Sequence, residues 1–291
     1  MLVAFDLDGT LISFGKSLSD ENLRALNAAA AAGHILAIAS GRALSAIPRE
    51  LLKLPCFSYC ISSGGAVLSI PATGEFLLEK AIPHETVLTT MENASGQGAA
   101  MVVTFAEKEI YDVKWMRHML RSVKKMGHKG SWWKLLAYWL RSDKNRQKGK
   151  QLFIFSKNLR RRVAKAREPI YKIECAYTAE ALCMEQQALF ARSETLEAII
   201  TPEQIIEITA KGADKGTALS ALAERLEIPK ERIIAFGDSN NDLPMRPAAG
   251  IFVVMENSGE NALKAVADHI APPVEEDGAA KMLHKLLALD S

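Results

Sequence analysis

Short runs of apolar residues, separated by longer amphipathic segments, dominate the beginning of the chain. The runs are Met1 to Phe5, His34 to Ala39 and Phe57 to Ser62, and each has the composition of a strand buried on both faces. Strands that alternate with helices through short connections indicate a parallel, doubly wound sheet. We therefore expect an α/β fold with such a sheet at its centre.

Helices and a hairpin are predicted around these strands. Ser19 is a suitable N-cap for an alanine-rich helix. A second helix is predicted from about Ala43 to Leu54, where Pro48 marks either a kink or a late start. After the third strand, the segments Ala66 to Ile70 and Glu75 to Lys80 flank a turn-forming sequence and predict a hairpin.

The pattern changes at about Ile82, where short strands begin to alternate with helices as in an α+β domain with its own antiparallel sheet. The predicted strands are Ala100 to Phe105, Glu109 to Tyr111, Gln151 to Phe155, Ile170 to Cys175 and Ala181 to Glu185. A helix is predicted from about Lys157 to Glu168. Apolar residues at helical spacing predict two more helices, one with Val113, Met116, Leu120 and Val123 on its apolar face, the other with Trp132, Leu135, Leu136, Trp139 and Leu140. We expect residues 82–201 to form a second domain inserted into a core of residues 1–81 and 202–291.

The parallel pattern resumes near Gln204, and we assign Ile205 to Ile208 to a strand of the core. Asp214 is the expected N-cap of a helix that runs to about Glu227. The remaining predicted elements are strands at Arg232 to Phe236 and Ile251 to Met255 and helices at Ser258 to Val266 and Gly278 to Leu289.

Composition and charge are those of an ordinary globular protein. The chain has 291 residues, 48% of them apolar, and a net charge of +2. No apolar run approaches the roughly 20 residues of a membrane helix, and a strand followed by Asp6 occupies the place of a signal peptide. The cysteines form no CxxC pair, so buried, reduced thiols are favoured over a zinc site at Cys56, Cys60, Cys175 and Cys183. These features predict a cytoplasmic protein, monomeric or weakly dimeric.

Two carboxylates follow the first predicted strand. Asp6 and Asp8 are two residues apart, so both would face one pocket if the strand geometry continued that far, and Gly9 allows the chain to turn. The alternative is an ordinary turn of aspartate and glycine after a strand. The carboxyl end of a strand in an open α/β sheet is a usual position for an active site, which favours the first interpretation.

Further polar groups follow other predicted strands or open a helix of the parallel part: Ser40 and Gly41, Lys215, and Asp238 with Asp242. Because parallel strands end at one edge, we expect these groups to converge on Asp6 and Asp8. Converging carboxylates repel each other unless a cation joins them, and Mg²⁺ suits oxygen ligands. A hydroxyl, a backbone N–H, a lysine and a helix N-terminus suit a phosphate group. The set predicts a phosphoryl-transfer site.

Four motifs carry a resemblance to a known family: FDLDGT at residues 5–10, ASGR at 39–42, the lysine of KGADKG at 211–216, and GDSNND at 237–242. In this order and spacing, they resemble those of the haloacid dehalogenase-like phosphohydrolases, specifically the Cof-type subfamily with a large α/β cap. In that subfamily the cap is inserted between the second and third motifs. The resemblance extends over essentially the whole chain.

The resemblance implies a role for each motif residue. Asp6 would be the nucleophile that forms an aspartyl-phosphate, and Asp8 the general acid and then base. Mg²⁺ would be held by the Asp6 carboxylate, the Asp8 main-chain carbonyl and Asp238, with Asp242 supporting its water shell. The phosphoryl group and substrate would be bound by Leu7, Ser40, Gly41, Arg42, Lys215 and Asn241. The implied activity is hydrolysis of a small phosphorylated metabolite such as a sugar phosphate, a nucleotide or a phosphorylated cofactor.

Two positions refine this resemblance. Asp8 stands where related pump ATPases have a threonine, which favours rapid hydrolysis of the intermediate; dehalogenases of the superfamily lack this second acid. Gly64 stands where many Cof-type members have an asparagine, which puts in doubt any side-chain contact from this position. Two rival functions stay open: a phosphomutase that returns the phosphoryl group to its substrate, and a non-catalytic binding protein.

The inserted domain is strongly basic. From Lys114 to Lys150 there are 12 Lys or Arg residues and one acid, and Arg160, Arg161 and Arg162 continue the trend. A solvated basic face is the simplest interpretation. The alternatives are steering of an anionic substrate and a surface for anionic membrane or nucleic acid. We expect neither nucleic acid nor membrane as a partner.

Overall fold

The computed structural model describes residues 1–13, 16–118, 153–201 and 205–288. The chain divides into two compact units. The first comprises Met1–Arg42, Ile47–Glu79 and Ala213–Ser291, and the second comprises Ala43–Ala46 and Lys80–Gly212. Most of the basic segment, and the faces predicted around Leu120 and Trp132, lie outside the described residues.

The first unit is built on an eight-stranded sheet in the order β14-β13-β12-β1-β2-β3-β4-β5. The strands, numbered in chain order over both units, are β1 (Leu2–Phe5), β2 (Ile35–Ala39), β3 (Phe57–Ser62), β4 (Val67–Ile70), β5 (Glu75–Glu79), β12 (Ile233–Gly237), β13 (Ile251–Met255) and β14 (His269–Ala271). Six neighbouring strands, from β14 to β3, pair in parallel, whereas β3, β4 and β5 pair antiparallel. The predicted α/β fold and the predicted hairpin are confirmed.

The helices of this unit are α1 (Asp20–Ala31), α2 (Arg49–Leu52), α6 (Lys215–Arg225), α7 (Met245–Ala248), α8 (Asn261–Ala265) and α9 (Gly278–Leu287). The two predicted N-caps are confirmed: Ser19 Oγ accepts from the Asn22 N–H at 3.1 Å, and Asp214 Oδ1 accepts from the Thr217 N–H at 2.8 Å. The helix predicted from Ala43 to Leu54 is wrong in extent, because only a 3₁₀ turn and the four-residue α2 form there. Pro48 lacks an N–H and disfavours helical backbone before it, so α2 begins after it.

The core of the first unit lies where β1 and β12 run side by side. All of β1 is fully buried, and its alternate residues Leu2 and Ala4 belong to an apolar cluster with Leu219 and Leu222 of α6. Phe5 pairs in register with Phe236, and the two rings stack with centroids 4.7 Å apart. These contacts hold together the two strand ends from which the acidic loops emerge.

The second unit contains a six-stranded sheet in the order β10-β11-β9-β6-β7-β8. Its strands are β6 (Ala100–Phe105), β7 (Glu109–Asp112), β8 (Phe153–Ser156), β9 (Ile170–Ala176), β10 (Leu196–Ile200) and β11 (Ile205–Ala210). The helices that lie wholly within its described residues are α3 (His84–Gly96), α4 (Leu159–Ala164) and α5 (Glu180–Ala191). All pairs in this sheet are antiparallel except β7 with β8.

Two sequence assignments in this region are wrong. The strand at Ile205 to Ile208 exists, but it belongs to the second sheet, where β11 pairs antiparallel with β9 and β10. Its alternation of buried Ile206 and Ile208 with Glu207 suits an antiparallel sheet with two different faces. The segment Ala181 to Glu185 is part of the helix α5, which buries Cys183, Gln186 and Phe190 at helical spacing.

None of the helices in the described part of the chain combines the length and apolar character needed to span a membrane. The four cysteines are buried. Arg160, Arg161 and Arg162 are exposed on α4, and Arg160 forms an ion pair of 3.1 Å with the exposed Glu92, as expected of a solvated face.

Candidate active site

The structure brings three loops of the first unit together at one edge of the sheet. Strand β1 lies between β2 and β12, and all three run in the same direction. The loops that follow them carry Asp6 to Asp8, Ser40 to Arg42, and Asp238 to Asp242. The Asp6 N–H donates to the Phe236 carbonyl at 3.0 Å, so the pairing of β1 with β12 extends to the first acidic residue.

A buried lysine links two of the carboxylates. Lys215 Nζ donates to Asp6 Oδ1 at 2.8 Å and to Asp242 Oδ1 at 2.6 Å. The side chains of Lys215, Asp6 and Asp242 are only 1%, 7% and 0% exposed. Burial opposes the charge of Lys215, but the two carboxylates outweigh it and raise the pKa of the lysine, which therefore stays protonated.

Asp242 also organises its own loop. Its Oδ2 accepts from the N–H groups of Asp238 and Ser239 at 2.9 and 3.0 Å, and a capping box with Ser239 closes the 3₁₀ turn Asn240–Asp242. Both carboxylate oxygens of Asp242 therefore have protein partners. This capping box was not predicted from the sequence, although a serine followed three residues later by an acidic residue is the pattern that indicates one.

The carboxylates Asp6, Asp238 and Asp242 fit a divalent cation. One oxygen of each lies within 4.8 Å of the others. Asp6 Oδ2 and Asp238 Oδ1 are buried and have no hydrogen-bond partner among the residues that the structure describes. Gly9, at a φ of +85°, lets the main chain approach Asp238 so closely that a Cβ there would lie 2.1 Å from Asp238 Oδ2. Carboxylate oxygens, two of them unpartnered, are the donors that Mg²⁺ prefers.

The ionised forms of Asp6 and Asp238 are disfavoured by burial and by the neighbouring carboxylates. Burial raises the pKa of Asp6 to about 7, with repulsion from Asp242 acting in the same direction and the attraction of Lys215 opposing it. Burial, together with repulsion from Asp6 and Asp242, raises the pKa of Asp238 to about 8. A bound cation would favour the ionised form of both groups.

Asp8 does not share the buried environment of Asp6. The strand ends at Phe5, and the chain turns so that the Leu7 carbonyl accepts from the N–H groups of Thr10, Leu11 and Ile12. The alternation that was expected to place both carboxylates in one pocket therefore does not apply. Asp8 is 49% exposed and accepts two hydrogen bonds from Arg42, from Nε at 2.7 Å and from Nη2 at 2.5 Å.

The other residues expected at the phosphate lie in the same three loops. Ser40 is buried, and its Oγ accepts from the Arg42 N–H at 3.2 Å. A Cβ at Gly41 would lie 3.3 Å from the side-chain nitrogen of Asn241, so these two residues face each other. Leu7 is fully buried, and its carbonyl already accepts from three N–H groups, so no contact from its side chain or its carbonyl to a ligand is expected.

A fourth loop, Ser62 to Gly65, was noted in the sequence only for Gly64 and was not predicted to form part of the site. The Ser63 N–H donates to the Arg42 carbonyl at 2.7 Å, and the Gly64 N–H donates to the Ser40 carbonyl at 3.2 Å. Gly65, at a φ of +109°, packs so closely that a Cβ would lie 2.1 Å from the Asp214 carbonyl oxygen. The loop thus joins the segment after β2 to the start of α6, and its only sequence signal is a pair of glycines after a strand.

Comparison with known proteins gives a consistent result. The family model described as haloacid dehalogenase-like hydrolase matches residues 3–283. Phosphatase YwpJ of Bacillus subtilis is 28% identical over 296 residues, which cover 98% of this chain and 99% of that protein. The 5-amino-6-(5-phospho-D-ribitylamino)uracil phosphatase YwtE of the same organism is 28% identical over 300 residues, 98% of each chain. A solved structure of a haloacid dehalogenase-like hydrolase from B. subtilis matches with a TM-score of 0.83 and 25% identity, covering 98% of this chain and 99% of that one.

Proposed function

The chain belongs to the haloacid dehalogenase-like hydrolase family, and we propose that it is a Mg²⁺-dependent phosphatase that hydrolyses a small phosphate monoester through a phosphorylated Asp6. The observation that carries this proposal is the cluster of Lys215, Asp6 and Asp238, in which Lys215 and Asp6 are buried and Asp238 is partly buried. Lys215 neutralises one oxygen of Asp6, while the other oxygen and one oxygen of Asp238 are buried with no hydrogen-bond partner in the described part of the chain. Such a costly arrangement suits a site that binds a cation and an anion together.

The proposed reaction has two steps that use the same two aspartates. The Asp6 carboxylate attacks phosphorus, the bond from phosphorus to the ester oxygen breaks, and Asp8 gives its proton to that oxygen. Water then attacks the phosphorus of phospho-Asp6 while Asp8 takes one proton from it. Phosphate leaves, and both aspartates return to their starting forms.

The surrounding residues have electrostatic tasks. Asp6, Asp238 and the main-chain carbonyl of Asp8 would hold Mg²⁺, with Asp242 behind them, and the bound ion supplies positive charge against the phosphoryl oxygens. Lys215 and the N-terminal end of α6 add positive charge from the protein side. Ser40, Gly41, Asn241 and the main chain of Leu7 would contact the remaining phosphoryl oxygens.

The second unit is the proposed source of substrate preference. In the chain it is inserted between β5 and α6, apart from the short segment Ala43–Ala46, and β11 belongs to it rather than to the core. The name of YwtE specifies a phosphorylated ribitylamino compound, which supports a substrate class of phosphorylated sugars, nucleotides and cofactor precursors.

The deciding experiment is a phosphate-release assay of the full chain against a panel of such metabolites and 4-nitrophenyl phosphate. We expect hydrolysis with Mg²⁺, none with a chelator, and none by the Asp6→Asn variant. Asp8→Asn should accumulate phosphoryl-Asp6, which mass spectrometry of the peptide would detect. Full activity after exhaustive removal of metal would refute the metal assignment. Isomerisation of a sugar phosphate stimulated by a bisphosphate, in place of phosphate release, would identify a phosphomutase.

A further inference from the structure

The resemblance assigns Arg42 to the substrate phosphate, but in the structure its guanidinium is on Asp8. Nε and Nη2 donate to different oxygens of the same carboxylate, at 2.7 and 2.5 Å. A two-point contact between a planar guanidinium and a carboxylate fixes the orientation of both groups, which a single hydrogen bond does not do. Asp8 is 49% exposed and Arg42 only 20%, so the arginine is the better-anchored partner.

The main chain of Arg42 is held on both sides. Its N–H donates to Ser40 Oγ at 3.2 Å, and its carbonyl accepts from the Ser63 N–H at 2.7 Å. Ser63 has a φ of +52°, a left-handed conformation that is unfavourable for a residue with a Cβ. That backbone conformation is accompanied by a short hydrogen bond to Arg42, and the base of the arginine side chain is thereby fixed to the loop after β3.

We propose that Arg42 is a positioning residue for Asp8: its two-point contact holds the carboxylate in the orientation from which it exchanges protons with the leaving oxygen and with water. The proposal rests on the phosphatase function proposed above and replaces the expected contact between Arg42 and phosphate. An exposed aspartate on a turn has several rotamers open to it. Proton transfer needs the carboxyl within hydrogen-bond reach of the reacting oxygen, and small misplacements cost large factors in rate.

Two esters with different leaving groups distinguish positioning of Asp8 by Arg42 from direct binding of phosphate by Arg42. Phenyl phosphate and 4-nitrophenyl phosphate have nearly the same shape, but the nitro group stabilises the departing phenolate, so only phenyl phosphate depends strongly on a general acid. A contact between Arg42 and the phosphate would serve both esters equally. A positioned Asp8 matters for kcat/KM mainly with phenyl phosphate, because this constant covers the steps up to formation of phospho-Asp6.

The variants to compare are Arg42→Gln, Arg42→Lys and the control Arg246→Gln. Arg246 pairs with Asp268 at 3.1 Å in the same unit, and the two side chains are 32% and 34% exposed. We expect Arg42→Gln to lower kcat/KM for phenyl phosphate about tenfold more than for 4-nitrophenyl phosphate. Arg42→Lys keeps the charge but not the two-point contact and should show the same selective loss, whereas Arg246→Gln should show none. In an Asp8→Asn background, Arg42→Gln should cause no further selective loss.

Equal losses for both esters, with a raised KM, would overturn the proposal and return Arg42 to the phosphate. A second measurement does not depend on activity: the Arg42 Nε–H resonance in ¹⁵N NMR should shift in the Asp8→Asn variant. An unchanged resonance would mean that the contact does not exist in solution, which also overturns the proposal. If the resonance shifts but the wild-type protein hydrolyses no phosphate ester, it is the proposed phosphatase function that fails, and the positioning role falls with it.

Discussion

Lys215 Nζ lies 2.8 Å from Asp6 Oδ1, although 209 residues separate the two in the chain. Asp6 is placed by β1, and Lys215 is the first residue of α6, directly after the N-cap Asp214. The ion pair therefore joins the first strand of the fold to a helix that follows the whole inserted unit. Because both side chains are buried, this contact depends on the complete first unit rather than on either segment alone.

The first prediction concerns Asp6, the proposed nucleophile. Asp6→Asn keeps the size of the side chain and one oxygen for the contact with Lys215, but it cannot attack phosphorus. Phosphate release should fall to background while the circular dichroism spectrum stays unchanged. Asp20→Asn, an exposed position in the first turn of α1, is the matched control and should retain full activity. Wild-type turnover by Asp6→Asn would refute the mechanism.

The second prediction concerns Lys215. Lys215→Met should reduce turnover on the order of 10²-fold, because it removes a preorganised charge beside the proposed position of the phosphoryl group. It also leaves two buried carboxylates without their cation, which costs about 3–5 kcal/mol in the free energy of unfolding. Lys211→Met, at an exposed lysine 3.7 Å from Glu197, is the control and should change neither quantity. Activity assays and urea denaturation measure the two effects, and a Lys215 variant as stable and active as the control would contradict both.

Binding of Mg²⁺ should be visible without any substrate. At about 100 times its Kd, the ion should raise the free energy of unfolding by ~2.7 kcal/mol, since the unfolded chain offers no site. Asp238→Asn replaces one of the unpartnered oxygens with an amide and should lose most of this stabilisation. Thermal denaturation with and without Mg²⁺ measures it. An equal Mg²⁺ effect in the variant would exclude Asp238 as a ligand.

A charged cluster in the second unit, built around the buried Lys172, should make stability depend on pH. Lys172 Nζ donates to Glu174 Oε1 at 2.7 Å and to Glu207 Oε1 at 3.2 Å. The carboxylate of Glu109 adds negative charge near this cluster, and it accepts hydrogen bonds from the hydroxyl groups of Thr104 and Tyr111. Burial raises the pKa of Glu174 to about 7, against the attraction of Lys172 and with repulsion from Glu207 and Glu109.

The sign of the effect follows from proton binding. Between about pH 4.5 and pH 7 folded Glu174 holds a proton that the unfolded chain has lost, so its contribution to stability falls as pH rises, by at most about 1.4 kcal/mol per pH unit. Glu174→Gln should flatten this dependence in urea denaturation across that range. Glu85→Gln, exposed on α3 of the same unit, should leave the slope as it is. An identical slope in the Glu174 variant would mean that other groups cause the dependence.

Substitutions at two glycines test whether the loop after β3 supports the active site. Gly65 and Gly74 both have positive φ, +109° and +74°, but only at Gly65 would a Cβ meet other atoms, 2.1 Å from the Asp214 carbonyl oxygen. Gly74→Ala should cost about 1–2 kcal/mol in the free energy of unfolding from backbone strain alone. Gly65→Ala should cost more and should also lower turnover, because the displaced backbone precedes Lys215. Equal costs and unchanged turnover would show that this loop does not support the site.

Several features were determined by the sequence itself. The apolar runs at β1, β2 and β3 have the length and composition of strands buried on both faces, and their alternation with helices leaves a parallel sheet as the fold class. Since parallel strands end at one edge, the loops that carry Asp6, Ser40 and Asp238 had to lie near one another. The caps Ser19 and Asp214 could also be predicted, because capping depends only on neighbouring residues.

Only the tertiary structure decided the pairings that depend on competition between distant segments. The sequence of an apolar strand such as Ile205–Ala210 does not show which sheet the strand joins. It could pair in parallel in the core or antiparallel in the second unit, and the structure shows the antiparallel pairing. The segment Ala181 to Glu185 is short enough to fit either a strand or a helix. It is helical in the fold because the helix that contains it buries Cys183, Gln186 and Phe190 on one face. Asp8 and Arg42 lie 34 residues apart, and their contact depends on where the chain turns after Phe5 and on how Ser63 holds the arginine. Local pattern sets which elements form, but partners for polar side chains are chosen by the packed arrangement of those elements.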